Sequence, residues 1–215
     1  MNEKVVLNVV GWDNGFDSEK FTIGENKHLV FPSIAFIPER SSINLLSKNE
    51  RFNKDKMILS FNSNEYFIGN YAMKQIPRDF KKDLDQDKFK KETETVKFLA
   101  GISSFYPEAK EIVIKNLQVG LSIGSFNKYK DQLIEKYKGK TFEYKIPTIE
   151  GKNKDVVLKI NDVEAYPQGI AAYFSKIINW NGRAIKSDLL SSNLSIKDIR
   201  YILVDIGGNT TEGFI

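Results

Sequence analysis

Two apolar runs, one near each end of the 215-residue chain, finish in a carboxylate followed by glycine. Val5 to Trp12 runs into Asp13-Asn14-Gly15, with Lys20 close behind, and Tyr201 to Val204 runs into Asp205-Ile206-Gly207-Gly208-Asn209-Thr210-Thr211. A glycine turn at the mouth of a buried strand lets backbone N–H groups approach an anion, and a neighbouring carboxylate can hold a hydrated divalent cation. Taken alone, each turn reads more simply as a hairpin connection. Together they point to a phosphate and metal site split between the two ends of the sequence.

Between these turns the periodicity is that of a mixed α/β chain. Alternating and β-branched residues predict an opening meander of strands at about 4 to 12, 16 to 24 and 28 to 37. Residues 40 to 89 are more polar and carry a hairpin, Met57 to Phe61 and Tyr66 to Ile68, turning at Asn62-Ser63-Asn64. Val96, Leu99, Ala100 and Ser103 recur at helical spacing from about Lys90 to Phe105, and Pro107 closes the segment. A buried strand is expected from Ile112 to Leu121, an amphipathic helix from Asn127 to Tyr137, and strands at Phe142 to Ile146 and Val156 to Ala165. A helix is expected from Pro167 to Asn179, and a capped turn at Ser195 to Asp198 precedes the last strand. No internal repeat or low-complexity linker is present.

Composition narrows the function classes. With 32 basic and 28 acidic residues the net charge is only +4, a weak bias toward nucleic acid. Lys74 to Lys91 is the most basic stretch, but Asp79, Asp83, Asp85 and Asp87 interrupt it, so it reads as a solvated surface. The absence of cysteine excludes disulfides and thiolate metal sites. The N-terminus has no signal-peptide pattern and no apolar run approaches a bilayer span, so a cytoplasmic location is expected. His28, the only histidine, has no partner signature and reads as structural. Trp12, Trp180, Tyr129, Tyr137, Phe142 and Tyr144 read as packing residues. For Tyr66 and Tyr71, packing and an exposed contact surface both stay open.

The two carboxylate-glycine turns resemble the phosphate-1 and phosphate-2 loops of the actin superfamily of ATPases, heat-shock chaperones and sugar kinases. The segment Ala165-Tyr166-Pro167-Gln168-Gly169-Ile170-Ala171-Ala172-Tyr173 is similar to the family's connecting segment, with Glu or Gln at the start of a small-residue helix. Within the superfamily the ParM-like bacterial actins are the most similar, over nearly the whole chain. Leu29-Val30-Phe31-Pro32-Ser33 resembles the strand after the first hairpin. Tyr66-Phe67-Ile68-Gly69-Asn70-Tyr71-Ala72 resembles the strand-to-helix step of the small subdomain, and Leu117-Gln118-Val119-Gly120-Leu121 the strand end that follows.

The resemblance implies an α/β, actin-like ATPase (ribonuclease H-like) fold. Its mixed five-stranded sheet with flanking helices would form large subdomain IA from residues 1–39 and 90–180. Residues 40–89 would form an inserted small α+β subdomain IB, and 181–215 the start of subdomain IIA. Because the sequence ends just after the second turn, the second half of the fold is expected to be largely absent, and the 215-residue chain alone to bind and hydrolyse ATP weakly.

The resemblance also implies roles. Asp13 and Asp205 would hold the hydration shell of Mg2+. The amides of Asn14, Gly15 and Phe16, with the Lys20 ammonium, would face the β- and γ-phosphates of ATP or GTP, and Gly207, Gly208, Asn209 and Thr210 would wrap them from the other side. Gln168, or Glu164 if the helix register shifts, would align the attacking water, making Gln168, Asp13 and Asp205 the catalytic set. Phe16 departs from the family, standing where actin has a phosphate-touching serine, so that contact is lost or supplied by Ser18.

The implied function is a nucleotide-dependent filament for plasmid DNA segregation. It would self-associate and reach centromere-like DNA through an adaptor protein, without touching nucleic acid or membrane itself. The alternatives are a small-molecule kinase of the same superfamily and a non-catalytic regulator that binds a full-length homologue.

Overall fold

A computed structural model describes residues 3–39, 51–76, 80, 87–148, 152–168, 203–206 and 211–214. The opening meander is β1 (Lys4–Asn14), β2 (Ser18–Ile23) and β3 (Lys27–Pro32), followed by the short β4 (Ala35–Phe36). In β2 the alternation is clean: Glu19, Phe21 and Ile23 face inward while Lys20 and Thr22 face out. The polar segment carries β5 (Met57–Phe61) and β6 (Asn64–Ile68), joined by a two-residue turn in which Asn62 and Ser63 have φ of 47° and 65°. Two positive φ values are what a hairpin turn that follows strand twist requires.

At the end of β6 the chain turns into helix α1 (Gly69–Met73). Gly69 has φ +61° and its N–H donates to the Ile34 carbonyl at 2.9 Å, while an added Cβ would meet the Phe31 ring at 2.9 Å. Both conformation and space therefore demand glycine in the Tyr66–Ala72 step. Tyr66 and Tyr71 are 3% and 9% exposed, so packing is the outcome for both.

Helix α2 (Glu92–Phe105) is buried along nearly its whole length, and a 3-10 turn, Lys88–Lys90, precedes it. β7 (Glu111–Leu121) leads into α3 (Ile123–Tyr137), which starts four residues before its expected position. The Ser122 side chain caps it by accepting from the Ser125 N–H at 3.3 Å. Ser125, Tyr129, Leu133 and Tyr137 form its buried stripe, one residue per turn. β8 (Thr141–Pro147) and the long β9 (Asn153–Pro167) follow. Near the chain end β10 (Leu203–Ile206) and β11 (Thr211–Phe214) pair antiparallel, with Asp205 opposite Glu212.

The main sheet has the order β3-β2-β1-β7-β9-β8-β5-β6-β4. Its first five strands are the expected mixed sheet, with β1, β7 and β9 parallel and the meander antiparallel. The sheet does not stop there: β8 pairs antiparallel with the first half of β9, and one registered pair, Ser60 with Lys145, joins it to β5. One expectation fails on burial: Lys88, inside the stretch read as solvated, is 5% exposed.

The three central strands share a one-residue slip of the pleat. Buried positions run Leu7 then Val10 in β1, Ile114 then Leu117 in β7, and Ile160 then Val163 in β9, a spacing of three instead of two. These residues are registered partners on both sides of the slip, so pairing is preserved while the inward parity changes. Trp12 and Asn14 consequently face the helices, whereas Gly11 and Asp13 face the opposite side. The helix-facing core is aromatic, with the Trp12 ring 4.9 Å from Phe98, 5.6 Å from Tyr137 and 6.1 Å from Phe21 between centroids.

Candidate functional site

The pleat slip puts Asp13 on the open face, where the β1–β2 ladder sets Lys20 directly opposite it. The Lys20 Nζ donates to Asp13 Oδ2 at 2.8 Å. Gln168, immediately after β9, donates through Nε2 to Asp13 Oδ1 at 2.5 Å across 155 positions of sequence. Gly120 on β7 makes this approach possible, since a Cβ there would sit 3.2 Å from Gln168 Cγ. Asp13, Lys20, Gln118, Gly120, Tyr166 and Gln168 are among the residues lining a cavity of about 580 Å³ on this face. Glu164, registered beside Gln118 on the same face, is not among the residues lining the cavity and accepts a hydrogen bond from the Tyr166 hydroxyl.

Gly15 lies in the β1–β2 turn, where a Cβ would come within 2.6 Å of the Ser18 carbonyl oxygen. Only glycine fits so tight a turn. Asn14 is buried on the opposite face from Asp13, and its Oδ1 has no hydrogen-bond partner, so Asn14 can offer this site its backbone alone. The Phe16 ring lies 4.7 Å from the Lys88 ammonium. Asp205 sits in β10, but its side chain, together with Gly207, Gly208, Asn209 and Thr210, lies outside the described residues, as does the connecting segment from 169 to 179 with Trp180.

Behind the turn is a charged network that the sequence reading missed. Glu19 is fully buried, accepting from Trp12 Nε1 at 2.8 Å, from the Ser33 hydroxyl at 2.6 Å and from the Lys97 ammonium at 2.9 Å. Lys97 also pairs with Glu94 at 2.6 Å and donates to the Ser33 Oγ at 2.6 Å. Lys88 approaches Glu94 at 3.8 Å and donates to the Gly15 carbonyl at 2.5 Å. Burial pushes the Glu19 carboxyl up, but Lys97, Lys88 and the Ser33 hydroxyl outweigh it and hold it below its usual range. Burial raises Glu94 despite Lys97 beside it. The alternation of β2 carried the signal, because Glu19 shares the inward parity of Phe21 and Ile23.

A family model described as actin-like proteins, N-terminal domain, matches residues 11–170. The chain belongs to the actin-like proteins. This actin-like chain is similar over 97% of its length to the crystal structure of the actin-like protein Alp7A, with TM-score 0.77 and 15% identity, and covers 56% of that chain. It is also similar to Bacillus thuringiensis ParM in apo form, with TM-score 0.63, 16% identity and coverage of 96% of this chain and 56% of that one. The same ParM with AMPPNP gives TM-score 0.59 at 13% identity, covering 96% of this chain and 56% of that one. A 15-stranded ParM filament from Clostridium botulinum gives TM-score 0.55 at 26% identity, covering 82% of this chain and 51% of that one. The chain thus spans little more than half the length of these structures. No curated protein matches it.

The fold is the actin-like ATPase fold, and the described donor set fits the phosphates and Mg2+ of that family. Mg2+ keeps most of its water and needs only one or two carboxylates beside a phosphate. Asp13, adjoining an ammonium and the bare backbone of Gly15, offers that chemistry, although no cluster of three or more metal-ligating side chains exists among the described residues. No described helix is long and apolar enough to cross a membrane.

Proposed function

We propose that this chain forms the N-terminal part of a cytoplasmic actin-like ATPase that assembles into nucleotide-dependent filaments for plasmid DNA segregation. The convergence of Asp13, Lys20 and Gln168 on one cavity at the phosphate-1 turn carries the reading. Residues 1–39 and 90–180 make the large subdomain, 40–89 the inserted small one, and 181–215 open the second half. Self-association is supported by the filament form of a related ParM, and nucleotide binding by the AMPPNP form of another. An adaptor protein, rather than the filament itself, meets the DNA.

In this assignment Lys20 and the amides of Asn14, Gly15 and Phe16 bind the β- and γ-phosphates of ATP or GTP. Gly207, Gly208, Asn209 and Thr210 close on them from the second turn. Bound Mg2+ would neutralise phosphate charge, with Asp13 and Asp205 holding its waters. Gln168, a neutral amide, aligns the attacking water without taking its proton, which gives slow turnover suited to a filament timer. Catalysis then rests on positioning and electrostatics.

The test is high-speed sedimentation with light scattering, using the protein as its natural open reading frame encodes it, with Mg2+ and ATP or GTP. Nucleotide-dependent pelleting, lost in Asp13→Ala and Asp205→Ala, is the expected result. ADP release that requires a small-molecule acceptor, without assembly, would replace this reading with the kinase. Binding to a full-length homologue without turnover would replace it with the regulator.

A further inference from the structure

Lys88 lies 73 positions from the phosphate-1 turn, in a stretch whose composition reads as surface, yet it is buried and grips the turn from behind. Its ammonium donates to the Gly15 carbonyl at 2.5 Å and stands 4.7 Å from the Phe16 ring centre, so it brackets the peptide joining those two residues. No described peptide bond is cis. In a planar trans peptide the carbonyl of one residue and the N–H of the next point in opposite directions. Holding the Gly15 oxygen toward the helix layer therefore turns the Phe16 N–H away from it, toward the face that carries Asp13, Lys20 and Gln168.

Two further observations show that this grip is built rather than incidental. Lys88 belongs to a buried set with two ammoniums, Lys88 and Lys97, and two carboxylates, Glu19 and Glu94, which balance in charge. The 3-10 turn that carries Lys88 is itself pinned, because Lys136 of α3 donates to the Phe89 carbonyl at 2.5 Å and to the Lys91 carbonyl at 3.1 Å. Phe16 also gains a reason: where actin has a hydroxyl, this chain presents an aromatic face to the ammonium that orients the peptide.

We infer that Lys88 is a positioning residue for the nucleotide, fixing the Gly15–Phe16 peptide so that the Phe16 amide is aimed at a bound phosphate before the ligand arrives. The inference rests on the nucleotide reading above. Lys88 touches no phosphate. It acts by removing the reorganisation that a freely turning glycine peptide would otherwise require on binding.

The test compares Lys88→Met, which keeps the length of the side chain but removes its charge and donor, with the wild-type protein encoded by its natural open reading frame. Affinities for a fluorescent ATP analogue and for adenosine are measured with Mg2+ present. Loss of one oriented charge-assisted hydrogen bond predicts roughly tenfold weaker ATP-analogue binding, with adenosine held within about twofold. Since Lys88→Met upsets the buried charge balance, Lys88→Met with Glu94→Gln is measured beside it, leaving Glu19 and Lys97 as a balanced pair. Hydrogen exchange across residues 14 to 17 gives a second readout: AMPPNP protects the Phe16 amide in the wild type and not in the variants.

Equal weakening of ATP analogue and adenosine, or unchanged ATP-analogue affinity and Phe16 protection in a folded variant, overturns the role of Lys88 while leaving the nucleotide reading intact. A wild-type protein that binds no ATP analogue overturns both.

Discussion

At Gly101, inside α2, two effects of similar size oppose each other. Glycine in a helix interior costs about 1 kcal/mol relative to alanine, so propensity alone favours Gly101→Ala. A Cβ at that position, however, would lie 2.5 and 2.6 Å from ring atoms of Phe21, itself fixed between Trp12 and Phe31. Overpacking of this kind costs about 1–3 kcal/mol, so the substitution is expected to destabilise, as a lowered denaturant midpoint. A raised midpoint would show that the Phe21 ring yields freely. The same residue scale shows what the sequence made readable. Asp13 follows from turn chemistry, with Lys20 close behind it, and Gln168 from the resemblance to the family's connecting segment. Glu19 was readable by parity, but its charge argues for the surface, and only partners from distant segments, Lys97 and Ser33, make its burial tolerable. Nothing in the local sequence of Lys88 announces a partner 73 positions away.

At the scale of elements, α3 and the 3-10 turn before α2 are tied by Lys136, and that tie responds to pH. Burial brings the Lys136 ammonium down to about 8 from its usual 10.5, against the opposing pull of Glu94 and Glu92. The folded chain thus holds this proton less tightly than the unfolded chain. Unfolding takes up a proton between those two values, so this residue makes stability rise with pH across that window, while its full cost is felt below it. Lys136→Met should abolish that rise, seen as a wild-type midpoint that gains on the variant's when denaturant midpoints are followed from neutral to alkaline pH. Parallel curves would contradict it. The elements themselves were largely legible, because strands and helices here follow their periods. The start of α3 was not, since Gly124 masks a first turn that the Ser122 cap secures. The pleat slip was also hidden, being a property of three neighbouring strands together: extended forward from Val5 and Leu7, strict alternation would send Asp13 into the core.

Over the whole molecule, ligand linkage offers a test independent of assembly. A nucleotide bound only by the folded state stabilises it by about 2.7 kcal/mol at a hundred times its dissociation constant. The intact gene product should therefore show a thermal midpoint that climbs with MgATP concentration, and Lys20→Ala should flatten that dependence. An unchanged wild-type midpoint at saturating MgATP would speak against a phosphate site at this turn. The actin-like identity was readable at this scale from motif order, whereas the passage of one sheet from the meander into the β5–β6 hairpin was not, because it depends on pairing between strands far apart in sequence. That passage also has a mechanical side. The β1–β7 and β7–β9 ladders run almost the full length of their strands, but among the described residues β8 and β5 are joined by the single pair Ser60–Lys145. Under tension this junction is expected to part before those two ladders, so strain on the hairpin edge would be released there and the strand that carries Asp13 would be shielded from the load.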